Sequence, residues 1–212
     1  MKKILILGSS NTDMTVKTPT LPAPGETVLG GVFTMSAGGK GANQAVAAKR
    51  VGGDVSFICK VGNDVFGDNS IKHYEAEGID VSGIIRSDKP SGVALITVDN
   101  DAENCIVVAS GANLDFTDAD IKASEEALRS CDVLLMQLEI PVPAVLQAAR
   151  IAHEAGAFVV LNPAPYAELP EEIFKYISLF IPNSPHSPAC LSLTRNPPRP
   201  RPASFLTRVS GT

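Results

Sequence analysis

Short apolar runs alternate with amphipathic stretches along most of the chain. The run at 4–7 has no polar position, which is typical of a strand buried on both faces of a parallel sheet. Similar runs predict further sheet strands at 55–59, 132–138, 158–161 and 178–181. Helical periodicity and end signals predict helices at 42–51, 68–77, 143–156 and 170–176, and one of about twelve residues after the N-cap Thr117. This alternation predicts a doubly wound, Rossmann-like parallel α/β sheet.

Two groups of short strands interrupt this alternation. Residues 15–17 and 27–35 form one predicted pair, separated by a proline-rich turn. Residues 92–99 and 104–109 form a second pair, joined as a hairpin by a polar turn. We expect these strands, within about 14–36 and 91–109, to build a small β-sheet lid over the carboxyl-end crevice of the main sheet.

A glycine-rich turn precedes the first predicted helix. Within 36–45, three glycines surround Lys40. Glycine lets a ligand approach bare backbone, and a helix start offers unpaired N–H groups, so the turn suits a hydroxyl-rich or anionic ligand. A tight turn that packs a helix closely on a strand would use the same residues. Neither GxxxxGK[ST] nor GxGxxG matches, because Gly41 follows Lys40 and Gln44 takes the last position.

Polar residues follow the first strand, at the edge where open α/β sheets bind ligands. Asn11 and Asp13 lie two positions apart, so in extended backbone their side chains point the same way. The alternative is a polar loop with Asx turns. A Rossmann dinucleotide site is disfavoured, because the first turn lacks GxGxxG.

Composition narrows the class of protein. Of 212 residues, 44% are hydrophobic and 19% are charged, as in an ordinary globular protein. The net charge of −5 gives no indication of nucleic-acid binding, and no apolar stretch suits a signal peptide or membrane span. Four widely spaced cysteines, without CxxC pairs, are interpreted as buried apolar residues of a reducing compartment. We therefore expect a cytoplasmic protein, and we assign none of its residues as a metal ligand.

The last part of the chain differs in composition. No acidic residue follows Glu172, and 182–212 holds seven prolines and four arginines without apolar periodicity. This composition is typical of a disordered segment, or of one foreign to the preceding fold. We therefore divide the chain into an α/β domain at 1–181 and a Pro/Arg-rich tail at 182–212.

Six segments occur in order along the chain: LGSSNTDMTV, LPAPGET, AGGKGANQAVAAKRVG, VGNDVFGD, LLMQLEIP and LNPAP. Together they resemble ribokinase and its relatives, the phosphofructokinase-B-type sugar kinases, from residue 1 to about 183. The resemblance implies a ribokinase-like, C-terminally truncated fold and ATP-dependent phosphorylation of D-ribose to ribose 5-phosphate. It also implies ATP, Mg²⁺ and K⁺ as cofactors, and a possible homodimer through the lid sheet.

The same resemblance assigns a candidate substrate site. Asn11 and Asp13 would hydrogen-bond sugar hydroxyls, with Asp13 as the charged acceptor. The glycine-rich turn would contribute Gly39, Lys40 and Asn43. The remaining matches are Glu139 after the third sheet strand, Ala94 and Ile96 as apolar lid contacts, and Asn183 at the nucleotide site.

One family motif is absent from the sequence. In the family, a GAGD segment carries the anion hole and the catalytic base, and the 212 residues contain no such run. We therefore assign no catalytic residue and expect little or no kinase activity from this chain alone. The tail is hypothesised to come from a shifted reading frame or an alternative exon. The alternative function is a catalytically dead sugar-binding or regulatory fragment of a ribokinase.

Overall fold

The structure is a computed structural model and describes residues 2–182. Its strands are β1 (Lys3–Leu7), β2 (Asn11–Lys17), β3 (Val32–Gly38), β4 (Asp54–Ile58), β5 (Lys60–Gly62), β6 (Ile85–Ser87), β7 (Gly92–Val98), β8 (Asn104–Ala109), β9 (Val133–Met136), β10 (Phe158–Leu161) and β11 (Leu179–Phe180). Its α-helices are α1 (Lys40–Arg50), α2 (Val65–Ala76), α3 (Asp118–Ala123), α4 (Glu125–Ser130) and α5 (Val142–Glu154). Two short 3-10 helices lie at Gly111–Leu114 and Glu171–Lys175.

Five parallel strands form the central sheet, in the order β11-β10-β9-β1-β4. Their apolar side chains divide between two buried layers. On one face Leu5, Leu7 and Leu134 pack with residues of α3, α4 and α5. On the other face Ile6 and Phe57 pack with residues of α1 and α2. Helices therefore cover both faces, which explains the unbroken apolar runs and confirms the doubly wound parallel sheet.

Four strands form a second, mixed sheet, the lid sheet, in the order β3-β2-β7-β8. β2 pairs antiparallel with β3 and parallel with β7, and β7 forms the expected hairpin with β8. The expected start of the lid near residue 14 is wrong. β2 begins at Asn11, because Asn11 pairs with Gly38 of β3 and with Gly92 of β7. β3 likewise occupies Val32–Gly38 and not 27–35.

Polar caps define the starts of two helices. Asp64 accepts a hydrogen bond from the Gly67 backbone N at 2.8 Å and begins α2. Thr117 forms a capping box with Asp120 and begins α3, as its position in the sequence predicts. The single helix expected after Thr117 is divided at Ser124 into α3 and α4.

Other expectations are wrong in detail. The helix expected at 170–176 is a 3-10 helix at Glu171–Lys175. The parallel strands β5 and β6 have three residues each, too few to produce a recognisable apolar pattern. Cys105 is exposed on β8, whereas Cys59 and Cys131 are buried as expected. None of the helices within residues 2–182 combines the length and apolarity needed to cross a bilayer.

Candidate functional site

The glycine-rich turn joins β3 to α1 at the carboxyl end of the central sheet. Gly39 is the N-cap of α1 and has a φ of 90°, a backbone conformation that other residues rarely adopt. The turn packs directly on the segment after β1, since a Cβ on Gly41 would lie 2.5 Å from the Ser9 backbone N. The Ala42 backbone N donates to the Ser9 carbonyl at 2.9 Å. The interpretation as a close-packed turn therefore holds for this backbone, and it places the start of α1 beside β1.

A carboxylate from the end of β9 completes the start of α1. The Oε2 of Glu139 accepts hydrogen bonds from the Lys40 backbone N at 2.9 Å and from Ser9 Oγ at 2.6 Å. Its Oε1 accepts one from Lys40 Nζ at 2.6 Å. A cation at a helix start opposes the helix dipole, and the Glu139 carboxylate offsets both positive charges. Glu139 therefore supplies the cap that Gly39 has no side chain to provide.

Asp13 lies on β2 with its carboxylate directly over Gly38 of β3. A Cβ on Gly38 would lie 2.2 Å from the carboxyl atoms of Asp13, so a side chain at this position would displace them. Among residues 2–182, no group donates a hydrogen bond to the Asp13 carboxylate. Its oxygens therefore keep lone pairs that no donor of residues 2–182 uses.

The two carboxylates of the site have pKa values displaced in opposite directions. Burial tends to raise the pKa of Glu139, but the hydrogen bonds from Lys40 and Ser9 outweigh burial and leave that pKa below its ordinary value. Burial raises the pKa of Asp13, the nearby charge of Glu139 raises it further, and Lys40 offsets these effects only in part. Glu139 is thus an anion already neutralised by Lys40 and its hydrogen bonds, whereas Asp13 is an anion without a full partner among residues 2–182.

Asn11 lies at the first position of β2 and is buried. Its Oδ1 accepts a hydrogen bond from Nδ2 of Asn113 at 2.7 Å. Neither Asn113 nor Ser9 is indicated by the sequence patterns. Ser9 lies in the segment after β1 and Asn113 in the 3-10 helix Gly111–Leu114. The hydrogen bond between Asn113 and Asn11 spans 102 positions, and the one between Ser9 and Glu139 spans 130. Such long-range pairs can be identified only from a resemblance to a known family or from the structure.

The remaining candidates surround this group or lie beside it. Ala94 of β7 pairs with Asp13 across the lid sheet and is buried, and Ile96 follows on the same face. Asn43 is exposed on the first turn of α1 and borders a cavity of about 470 Å³ that neither Asp13 nor Glu139 lines. Ala94 and Ile96 therefore share the Asp13 face of the lid sheet, whereas Asn43 lines a different cavity.

The candidate nucleotide contact Asn183 and the tail from 183 onward lie outside the described residues. Within residues 2–182, no group of three or more histidines, cysteines, aspartates or glutamates is arranged to hold a metal ion. This part of the chain therefore supplies no cluster of three such side chains for Mg²⁺.

A family model described as pfkB family carbohydrate kinase matches residues 1–193. The chain belongs to this family of carbohydrate kinases. It is similar to the bifunctional ribokinase/ribose-5-phosphate isomerase A of Fructilactobacillus sanfranciscensis, with 44% identity over 185 residues, 86% of this chain and 34% of the relative. It is also similar to the ribokinase of Haemophilus influenzae, with 43% identity over 183 residues, 86% of this chain and 60% of the relative.

The fold is similar to that of a solved Arabidopsis thaliana ribokinase, whose structure contains ribose and ATP. The TM-score is 0.76 at 28% identity, over 86% of this chain and 61% of that chain. The chain thus spans about 60% of the length of these two ribokinases, and about a third of the bifunctional relative. The family and the fold inferred from the six motifs are confirmed.

Proposed function

We propose that this chain recognises D-ribose as the sugar-binding part of a ribokinase-type kinase. The observation that carries the proposal is the unpaired Asp13 carboxylate, which lies over Gly38 and close to the ion pair of Lys40 and Glu139. An unpaired, partly buried carboxylate is costly for the protein alone and favourable once ligand hydroxyls donate to it. The ribokinase relatives, and the ribose in the Arabidopsis structure, support ribose as the sugar.

The roles of the side chains follow from their chemistry. Adjacent sugar hydroxyls would donate to the Asp13 carboxylate, and their oxygens would accept from the Asn11 amide and the Lys40 ammonium. Ala94 and Ile96 would pack against the C–H surface of the ring. Gly39 and Asn43 would contribute a backbone N–H or carbonyl and a side-chain amide at the edge of the sugar. Binding in this manner removes the sugar and Asp13 from water, which strengthens the charge-assisted hydrogen bonds between them.

Phosphate transfer is a separate part of the proposal. In the proposed reaction of a complete kinase, a hydroxyl of ribose attacks the γ-phosphate of ATP and loses its proton to a base. The phosphoryl group passes from ATP to the sugar, which gives ribose 5-phosphate and ADP. The 212 residues contain no GAGD run to supply that base. We therefore propose that the chain binds sugar without turning it over by itself, which favours the alternative of a sugar-binding or regulatory fragment. ATP contact through Asn183 and a cytoplasmic location belong to the same proposal.

Calorimetric titration of the 212-residue protein with D-ribose, combined with an ADP-release assay, tests both parts. We expect heat of binding with D-ribose and no ADP release above the level seen without sugar. Binding accompanied by ribose-dependent ADP release would show that the chain is a competent kinase and contradict the second part. Absence of binding, in a protein that unfolds cooperatively on heating, would contradict the first part.

We also propose a homodimer through the lid sheet. Four apolar side chains, one from each strand, form a row across the face of this sheet opposite to Asp13; this outer lid row consists of Met35, Met14, Leu95 and Val107. Met35, Leu95 and Val107 are each at least half exposed, at 50%, 55% and 63%. A contiguous exposed apolar row of this kind is typical of an interaction surface. A second copy of the lid, with the same row, is the partner that fits it.

A further inference from the structure

Asn113 is a buried amide that joins the end of the lid sheet to the start of β2. It lies in the 3-10 helix Gly111–Leu114, directly after β8, and only 1% of its surface is exposed. Its side chain makes three hydrogen bonds, all to residues at the beginning of β2 or just before it. Because all three hydrogen bonds of this side chain go to one short segment, we infer that Asn113 fixes the conformation of that segment.

The backbone of Ser10 determines which way the Asn113 amide faces. The Ser10 N–H can only donate, and it donates to Oδ1 of Asn113 at 2.8 Å. The Ser10 carbonyl can only accept, and it accepts from Nδ2 of Asn113 at 3.1 Å. Because both partners are backbone groups, exchange of the two ends of the Asn113 amide would set donor against donor and acceptor against acceptor.

The fixed Asn113 amide in turn determines the orientation of Asn11. The Nδ2 of Asn113 is 2.7 Å from Asn11, so the atom of Asn11 at that position must be the acceptor Oδ1. The Nδ2 of Asn11 is then turned away from Asn113, and it donates to no group within residues 2–182. The free end of the Asn11 amide is therefore a hydrogen-bond donor and not an acceptor.

Gly92 provides a second and independent indication. A Cβ at Gly92 would lie 2.1 Å from Asn11 Oδ1 and 2.3 Å from Asn113 Nδ2. The hydrogen bond between the two amides thus passes directly over the α-carbon of β7 that pairs with Asn11. Only glycine leaves room for it, so the sequence of the lid strand is itself adapted to this contact.

We propose that Asn113 is a positioning residue that sets the hydrogen-bonding polarity of the site. It holds Asn11 with its N–H toward the ligand, beside the acceptor carboxylate of Asp13, which is two positions further along β2. The site then requires a ligand oxygen with a free lone pair at Asn11 and a hydroxyl donor at Asp13. This inference rests on the proposed sugar binding and deepens it, because it identifies what distinguishes a suitable hydroxyl pair.

The variant Asn113→Asp reverses the polarity with little change of shape. One carboxylate oxygen still accepts from the Ser10 N–H. The other has no hydrogen to donate, so the Ser10 carbonyl loses its partner and the Asn11 amide must turn round to donate to the carboxylate. Asn11 then presents an oxygen to the ligand. We expect affinity for D-ribose to fall by about tenfold or more, as for loss of one well-placed hydrogen bond. The matched control is Asn104→Asp at the exposed start of β8, which should leave the affinity unchanged.

A double-mutant cycle separates positioning from a general structural effect. If Asn113 acts through Asn11, the double variant Asn11→Ala with Asn113→Asp should bind D-ribose no more weakly than Asn11→Ala alone. If the loss of D-ribose affinity in the double variant equals the product of the losses in the two single variants, the two residues act independently and the proposal is overturned.

A measurement without sugar keeps the test decisive if a variant fails to fold or if D-ribose does not bind. In the ¹⁵N–¹H spectrum of the wild-type protein, the side-chain amide protons of Asn113 should exchange slowly with solvent. Asn11→Ala should speed the exchange of one of them by at least tenfold. Fast exchange in the wild-type protein, or no change in the variant, would overturn the coupling of the two amides. Failure of wild-type binding with this coupling intact would contradict the proposed function alone.

Discussion

The central sheet and the lid sheet differ in how completely their groups find partners within the chain. Strands of the central sheet are covered by helices on both faces, and Glu139 at the end of β9 has hydrogen bonds to both of its oxygens. The lid sheet leaves an exposed apolar row on one face and the unpaired Asp13 carboxylate on the other. The central sheet is thus satisfied within residues 2–182, while the lid sheet keeps exposed and unpaired groups that the proposed sugar contact and the proposed dimer would use.

The largest difference between the central sheet and the lid sheet should appear when one leucine of each sheet is replaced by alanine. Leu134 of β9 is fully buried, whereas Leu95 of β7 is 55% exposed. We expect Leu134→Ala to lower the free energy of unfolding by about 3 kcal/mol, because it leaves a cavity in the core. Leu95→Ala should lower it by less than about 0.5 kcal/mol in the monomer. Urea unfolding at low protein concentration measures both, and similar losses would show that the lid is as well packed as the core.

The next effect concerns the carboxylate that the lid leaves unpaired. Asp13→Asn should weaken D-ribose binding by about 2 kcal/mol, or roughly 30-fold, since it removes the charge from the hydrogen bonds. The same change should raise the stability of the sugar-free protein at neutral pH, because ionised Asp13 is disfavoured by burial and by Glu139. Calorimetry and urea unfolding, with Asp101→Asn in the lid turn as control, measure the two effects. A loss of both stability and affinity would contradict the assignment of Asp13.

Acid should act on the two carboxylates with opposite signs. The folded-state pKa of Asp13 is raised above 3.8, so protonation favours the folded protein, and this contribution is lost as the pH rises through the raised pKa. The affinity for D-ribose, which needs the ionised form, should fall as the pH decreases through that same value. Calorimetric titration with D-ribose at several pH values between neutral and mildly acidic measures this change of affinity. Asp13→Asn should remove the pH dependence, and an unchanged profile in that variant would assign it to another group.

Glu139 should show the reverse dependence. Its pKa is lowered from 4.5, so its stabilising contribution is present above the ordinary pKa and is lost as the pH falls through the lowered value. Glu139→Gln should cost about 1 to 2 kcal/mol of folding free energy at neutral pH, because it weakens several charge-assisted hydrogen bonds. The matched control is Glu125→Gln, which breaks the surface pair with Arg129 and should cost less than about 0.5 kcal/mol. Equal costs by urea unfolding would show that Glu139 does not act as a cap.

The smallest effect on monomer stability and the most specific effect on assembly should come from the outer lid row. Leu95→Ser places a hydroxyl in the middle of that row and should change the unfolding free energy of the monomer by less than about 0.5 kcal/mol. Sedimentation equilibrium should show a dimer for the wild-type protein and a weaker dimer for the variant. A wild-type monomer at all concentrations would contradict the proposed lid contact.

The sequence predicts the central sheet well because its strands carry their own signal. The runs at 4–7 and 158–161 are entirely apolar, as burial on both faces requires, and the second coincides with β10. The lid strand β2 lacks such a signal at its start. Asn11 and Thr12 resemble loop residues, and they become strand only because β3 and β7 pair with them.

The sequence predicts only those parts of the candidate site that lie in short local motifs. Asn11, Asp13 and the glycine-rich turn can be identified as ligand candidates from local sequence, whereas Glu139 is indicated by resemblance alone. The role of Glu139 as a cap for α1, and the contact between Asn113 and Asn11, depend on the way distant segments meet. Local propensity contains no information on such contacts.

The cap on α1 has a consequence for the order in which the protein folds. Glu139 and Lys40 are separated by 99 positions, and Glu139 and Ser9 by 130. Contacts between such distant residues form late, because closing a long loop costs entropy before it yields an interaction. We therefore expect the start of α1 to stay uncapped until β9 has joined β1, which would make the proposed sugar site one of the last parts of the molecule to form. If the proposed function holds, a partly folded chain would bind sugar poorly even when α1 and the glycine-rich turn have formed. Sugar added during refolding would then bind and stabilise only the completed fold.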